Sequence, residues 1–464
     1  MTHVHFIGIG GSGLSAIARL LLESGYTVSG SDRALTPFAD EVRKAGAQIY
    51  IGHHPRNLAE ADWVVRSSAI TDDNPEVEAA KRAGIPVYKR ADFLGRLMEQ
   101  KTGIAIAGTH GKTTTTAMTA WVLSELGRDP SFIVGGVLNN LGVNAHAGKG
   151  KPFVIEADEY DNMFLGLKPQ IEVVTSLEHD HPDCFPTYES MVDAFHKFVD
   201  LLPEDGTLIV CVDDAGAAAL IPYTRKAGRN VIAYSVQGES TINSPLWVMA
   251  RKVKPNARGG FDFVSASNLS STGLESVEVS LQVPGKHNVR NALAVLAIVE
   301  LLGLSHGKAA QALGEFTGTG RRFQLRGEVD GISIFDDYAH HPTEIKATLA
   351  GARARFPDRH IWAVWQPHTY SRTQTLFLDF SRAFKDADEV IVTEVYAARE
   401  PKQDFTSAEI VSGMPHRSAR FIATLPEVTE HLLKNLEQGD VVLVLSAGDA
   451  DQVSTDVLKG LQER

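Results

Sequence analysis

Short runs of apolar residues alternate along the chain with stretches in which apolar positions recur every three or four residues. These are the periods of buried strands and of helices lying on a sheet. HVHFIGIG opens as a strand, and Leu14, Ile17, Ala18, Leu21 and Leu22 then fall on one helical face that Gly25 is placed to stop. YTVSGSD and DWVVRSSAI continue the rhythm, so residues 1–98 read as a small doubly wound unit. It restarts with GIAIAG, the loop THGK and the helix TTTTAMTAWVLSELG, followed by strands FIVGG, FVIEADE, IEVVTSLEHD and GTLIVCVDD. LWVMARKVK and ESVEVSLQV instead alternate, as in an antiparallel addition, and 99–318 form this second unit. GISIFDDYAHH, HIWAVWQPHTYSR, DEVIVTEVY and DVVLVLSAGD mark a third, 319–464. The expected fold class is α/β, three successive doubly wound domains, with ligands at the carboxyl ends of the strands.

Composition agrees. At 464 residues the chain is too long for one ordinary core, and 43% hydrophobic with 22% charged residues is globular usage. A net charge of −12 argues against nonspecific nucleic-acid binding. Cys184 and Cys211 are the only cysteines, too few for a disulfide scaffold. The first residues lack a signal-peptide pattern and no apolar run approaches the roughly 20 residues of a membrane span. A cytoplasmic enzyme is expected, with no nucleic-acid, membrane or obligate protein partner.

Candidate chemistry sits where strands end. Gly8, Gly10 and Gly13 match a dinucleotide fingerprint, with Asp32 about 20 residues on. Alone that suggests an NAD-dependent oxidoreductase. GTHGKTTTT supplies a second phosphate loop: backbone N–H groups of Gly108, Thr109, His110 and Gly111 around phosphate, Lys112 as the cation, Thr113 and Thr114 opening the helix. It departs from the usual P-loop, having Ile106 where that pattern has glycine. EADEYD places Glu156 at a strand end as a second Mg²⁺ ligand, and EHDHPD does the same with His181. In GKHNVRN, His287, Asn288 and Asn291 are equally readable as a helix cap or as a purine pocket. Arg321 and Arg322 open the third unit, one of them suited to offset transition-state charge. DDYAHHPTEI (Asp337, Tyr338, His340) and QPHTYSRT (His368, Arg372) offer polar substrate contacts.

Taken together, HFIGIGGSGLSAIA, VSGSD, SSAI, GTHGKTTTT, EADEYD, DHPD, RRFQ, DDYAHHPTEI and QPHTYSRT resemble, in order and over essentially the whole chain, the Mur ligases of peptidoglycan precursor synthesis. The resemblance implies an N-terminal Rossmann-like UDP-binding domain, a central ATPase and a C-terminal Rossmann-like domain that closes over ATP and binds the amino acid. It implies ATP and Mg²⁺, with Thr113, Glu156 and His181 on metal, and Lys112, Glu156, His181 and Arg322 catalytic. His287, Asn288, Asn291, Arg322 and Asp337 would hold the nucleotide. Gly10, Gly11, Ser12, Gly13, Asp32, Ser67, Ser68, Asp158 and Glu159 would hold the UDP-substrate. Tyr338, His340, His368 and Arg372 would face the incoming amino acid. QPHTYSRT looks most like the branch that joins L-alanine to UDP-N-acetylmuramate through an acyl phosphate; the alternative is a sister ligase attaching a recycled tripeptide. Departures from the family pattern are Tyr160 for a usual serine, Thr369 for a usual arginine, and DHPDCF for a DHMD-type segment. His196 stands where sister ligases use a modified lysine, so none is expected here.

Overall fold

The computed structural model describes residues 1–238, 244–270 and 273–464. Three sheets follow one another along the chain. The first has β1 (His3–Ile7), β2 (Thr27–Asp32), β3 (Gln48–Ile51), β4 (Trp63–Arg66) and β5 (Val87–Lys89), in order β3-β2-β1-β4-β5. All its pairings are parallel.

The second comprises β6 (Thr102–Ala107), β7 (Ser131–Leu138), β8 (Val143–His146), β9 (Pro152–Glu156), β10 (Ile171–Val174), β11 (Thr207–Cys211), β12 (Asn230–Ser235), β13 (Leu246–Pro255), β14 (Phe261–Ser267) and β15 (Glu275–Ser280). Its order is β15-β14-β13-β12-β11-β10-β6-β9-β7-β8. The interior pairs are parallel, whereas β14 and β15 add antiparallel at one edge and β8 at the other. The third has β16 (Gln324–Val329), β17 (Ile332–Asp337), β18 (Ile361–Trp365), β19 (Glu389–Val392), β20 (Ala419–Phe421) and β21 (Val441–Leu445), in order β16-β17-β21-β18-β19-β20. Only β16 pairs antiparallel.

Central strands such as TLIVC, IWAVW and VVLVL are buried along their whole length, because helices cover both faces of a parallel sheet. Burial therefore comes from continuous apolar runs. Edge strands β3, β5, β8, β16 and β20 lack such runs: they are short or half exposed, with one side in water. The helix Lys286–Leu301 is buried nearly all round between the second sheet and the helix Lys112–Glu125. The first two units touch closely. A Cβ on Gly95, in the helix Arg90–Met98, would lie 2.1 Å from the Gly166 carbonyl oxygen, so only glycine permits that contact.

Candidate active site

The first phosphate turn is built by glycine and one carboxylate. Gly8 has φ 86°, a left-handed conformation, and Gly11 precedes the helix Ser12–Glu23 without any side-chain cap. Uncapped N–H groups therefore face outward from a 12-residue helix, an anion site of the usual kind. Asp32 does not point away to a ribose. Its Oδ2 accepts from the Gly10 N–H at 2.8 Å and its Oδ1 from the Arg33 N–H at 2.7 Å, so the carboxylate holds the turn itself. Ser67 packs against this turn: a Cβ on Gly8 would come within 3.1 Å of the Ser67 Cβ. Arg90, which the sequence reading passed over, covers the turn from above. Its guanidinium occupies the space that a Cβ on Gly13 would need, and it is charge-coupled to Asp158 and Glu156 of the second unit.

In the second unit, the chain leaves β6 at Gly108 and turns through Gly111 (φ 85°) into the helix Lys112–Glu125, again without a side-chain cap. Lys112 Nζ donates to the Gly108 carbonyl (2.6 Å), the Thr109 carbonyl (3.3 Å) and Glu159 Oε1 (2.8 Å). Glu159, expected beside the UDP-substrate, is fully buried on Lys112. Burial pushes its carboxyl up to about 7 despite the lysine. Burial also opposes the Lys112 charge, but Glu159 and Asp158 outweigh it and raise its pKa. The Thr113 hydroxyl donates to Glu156 Oε1 at 2.8 Å, and Glu156 Oε2 accepts from the Gly135 N–H at 2.7 Å. The two expected oxygen ligands are thus adjacent. His181 has φ 53°, an uncommon conformation for a non-glycine residue, and its Nε2 lies 3.8 Å from Glu159 Oε1.

A cleft between the second and third units is lined by His110, Gly111, Thr113 and Thr114 from the loop, by His287, Asn288 and Asn291, and by Arg322 and Asp337. Every expected adenine-pocket residue therefore faces the same space as the P-loop. Asn288 is not the helix cap, which is Gly285; its amide donates to the Pro284 carbonyl at 2.7 Å and its Oδ1 accepts from Asn291 at 3.1 Å. His287 is kept neutral, its pKa lowered to about 4 by burial and by Arg290 and Arg322. Asp337 ties the hinge, accepting from the Phe323 and Ala339 N–H groups at 2.8 Å each. Arg321 and Arg322 both lie over the Tyr338 ring, at 5.4 and 5.2 Å.

On the other side of His181 the four expected amino-acid contacts form a chain, with the Tyr338 ring 5.3 Å from that of His340. The rings of His340 and His368 are 5.8 Å apart, and Arg372 reaches His368 Nδ1 at 3.3 Å and His181 Nδ1 at 3.4 Å. Arg372 also carries an ion pair that the sequence did not announce, Nε to Asp180 Oδ1 at 2.8 Å with both side chains buried. The departures from the family pattern gather beside it. The Tyr160 hydroxyl donates to Asp183 at 2.9 Å, its ring meets His181 at 5.1 Å, and Arg399 lies 4.3 Å over it. Thr369 has φ 63°, a strained value for a β-branched residue, and its N–H donates to the Tyr396 carbonyl. His196 is remote, stacked on Tyr223 at 4.0 Å.

Two further carboxylates join the units. Glu344, in the first turn of the helix Pro342–Arg355, accepts from His110 Nδ1 at 3.2 Å and stands 3.8 Å from Arg322. Glu178 lies 3.6 Å from His110 Nε2 and accepts from the Thr343 hydroxyl at 2.8 Å. Their spacing gives them no motif; only the closed arrangement brings them to the P-loop. Burial disfavours a charged His110, but the two carboxylates outweigh it and raise its pKa to about 9. Hydrogen bonding to His110 lowers Glu178 to about 2. The raised His110 pKa stabilises the folded form fully below its unfolded value near 6.5, and that stability is lost as pH rises through about 9. Thermal melts between pH 6.5 and 9.5 should therefore show a fall in stability that His110→Gln abolishes. Parallel wild-type and variant curves would overturn the pairing.

Comparison with known proteins gives one answer. Residues 3–102 match the family model described as "Mur ligase family, catalytic domain", 106–299 "Mur ligase middle domain" and 321–448 "Mur ligase, glutamate ligase domain". The chain is 42% identical to the UDP-N-acetylmuramate–L-alanine ligase of Desulfosudis oleivorans, over 100% of its own length and 99% of that protein. It is 41% identical to that of Geotalea daltonii, over 99% and 98%. Among solved structures, the UDP-N-acetylmuramate–alanine ligase of Thermotoga maritima superposes with a TM-score of 0.79 at 28% identity, covering 100% of both chains. On three consecutive family models and on relatives matched end to end, the chain belongs to the Mur ligase family.

Proposed function

We propose that the chain is an ATP-dependent ligase that joins L-alanine to UDP-N-acetylmuramate and releases ADP and phosphate. The observation that carries the reading is a continuous chain of contacts leading from the P-loop cleft: Thr113 on Glu156, Lys112 on Glu159, Glu159 beside His181, and His181 on Arg372 with His368 and His340 next to it. The opening glycine turn then serves a second, separate diphosphate, that of the UDP-sugar, and NAD chemistry has no work for the P-loop. Among the described residues no helix is long and apolar enough to cross a membrane.

The muramoyl carboxylate attacks the γ-phosphorus of ATP, the β–γ bridging bond breaks, and an acyl phosphate and ADP result. The alanine amine then attacks the acyl carbon, and phosphate leaves as the amide forms. Lys112 and Arg322 offset the charge of the transferring group, and no nucleophilic side chain is required. The residues present fit Mg²⁺: Thr113 and Glu156 offer adjacent oxygens to a first ion, His181 would offer a nitrogen to a second, and the ions would supply further charge neutralisation. Arg372, with its neutral histidine neighbours, would receive the amino-acid carboxylate. The seam made by Glu344, Glu178 and Asp180 keeps the third unit over the cleft, which protects an acyl phosphate from water.

Phosphate release from ATP with UDP-N-acetylmuramate, measured with L-alanine, glycine, L-serine or a tripeptide, tests this. L-alanine should give the highest kcat/KM. Stimulation by the tripeptide alone would sink the assignment in favour of the sister ligase.

A further inference from the structure

Far from the cleft, where the antiparallel edge of the second sheet meets its helices, three potential ligands converge. Glu275 starts β15, Glu300 lies in the last turn of the helix Lys286–Leu301, and His306 is the first residue of the helix His306–Glu315. His306 Nδ1 is 3.5 Å from Glu300 Oε2 and 3.9 Å from Glu275 Oε2, and one ligand atom from each residue lies within 4.8 Å of the others. The His306 side chain is 4% exposed, and neither ring nitrogen has a hydrogen-bond partner among the described residues.

A buried imidazole with both nitrogens unmatched carries a free-energy cost that a native fold ordinarily avoids. An ion pair with a charged imidazole does not remove it. Burial lowers the His306 pKa, and the first turn of a helix is the wrong place for an added positive charge. Glu300 is equally ill-placed, a carboxylate in the last turn of its helix and buried, with its pKa raised for that reason. The Ser267 side chain and the Ser270 backbone face it and offset only part of this. Two carboxylates and a neutral imidazole around one point lack a cation.

We propose that Glu275, Glu300 and His306 form a binding site for a divalent transition metal of the zinc class, distinct from the catalytic centre. A tetrahedral ion with bonds of about 2.0–2.1 Å places its ligands about 3.4 Å apart, close to the separations seen here. Three protein ligands and one open position make a four-coordinate set, which suits a tetrahedral ion better than Mg²⁺ or Ca²⁺, which take six or more ligands. Glu275 is 43% exposed on its side chain, which leaves the site an entry path and room for a water as fourth ligand. The ion would tie β15 to the helix whose other end presents Asn288 and Asn291 to the cleft, so its effect is on stability rather than on chemistry.

The test is calorimetric titration of Zn²⁺ into the chelator-stripped full chain, with thermal melts and Co²⁺ absorption. Wild type should bind one zinc more than Glu275→Gln or His306→Gln, with micromolar or tighter affinity. At a hundredfold excess over Kd its Tm should rise by roughly 3–5 °C. Co²⁺ should give visible bands that both variants lose and that His341→Gln keeps, its ring lying 4.6 Å from that of His110 and beside Glu178 at the seam. Glu275→Gln alters a partly exposed residue, so its fold is not in question even if His306→Gln is unstable. Equal zinc uptake and equal Tm shift in wild type and Glu275→Gln would overturn the proposal. So would a signal that disappears in His341→Gln instead.

Discussion

Lys112→Ala should abolish ligation, with kcat reduced by about a thousandfold or more, while calorimetric affinity for UDP-N-acetylmuramate stays within about twofold of wild type. Lys112 Nζ is held inside the P-loop by two loop carbonyls and Glu159. Its ammonium is therefore already aimed where phosphate arrives, and ATP has only to displace Glu159. The substitution should not unfold the loop. Glu159 sits near pKa 7 even beside the lysine, so without it the carboxyl takes a proton and no buried charge is left bare. The glycine turn for the other diphosphate belongs to a different sheet, anchored by Asp32 rather than by Lys112. Loss of UDP-substrate affinity in parallel with turnover would mean that the two phosphate sites are one.

The layered α/β architecture was legible because parallel strands buried on both faces must be continuously apolar, as IWAVW and VVLVL are. Edge strands such as QLRGEV and ARF were not, since one side meets water and no run forms. The same divide runs through the candidate site. Lys112, Thr113 and Glu156 are legible because a phosphate loop fixes residue types at fixed spacing on one or two adjacent strands. Glu344, Glu178, Asp180 and Arg90 matter through partners far along the chain or in another unit, and sequence spacing holds no record of that. Asp32 and Glu159 show the converse. Their place in a motif was clear, but their oxygens are used by the fold, on Gly10 and Lys112.

Arg372→Ala should lower kcat/KM for L-alanine by about a hundredfold or more and also reduce stability, and the two effects are separable. Asp180 and Arg372 are both buried where the second and third units meet. Burial alone would raise the Asp180 carboxyl, but Arg372 and His181 hold it well below the usual carboxylate range. Removing the guanidinium leaves that carboxylate charged, with the His181 backbone N–H, at 2.7 Å, as its remaining hydrogen bond among the described residues. Breaking one side of a buried pair costs about 3–5 kcal/mol, whereas removing both sides is often close to neutral. Asp180→Asn in the Arg372→Ala background should therefore restore most of the lost Tm. It should not restore activity, because the guanidinium edge toward His368 and His181 would still be missing from the place proposed for the amino-acid carboxylate. Recovery of turnover together with Tm would reduce Arg372 to a strut between units. Recovery of Tm alone, with KM for L-alanine still raised, assigns it both tasks: Nε closes the seam and the two terminal nitrogens meet the substrate.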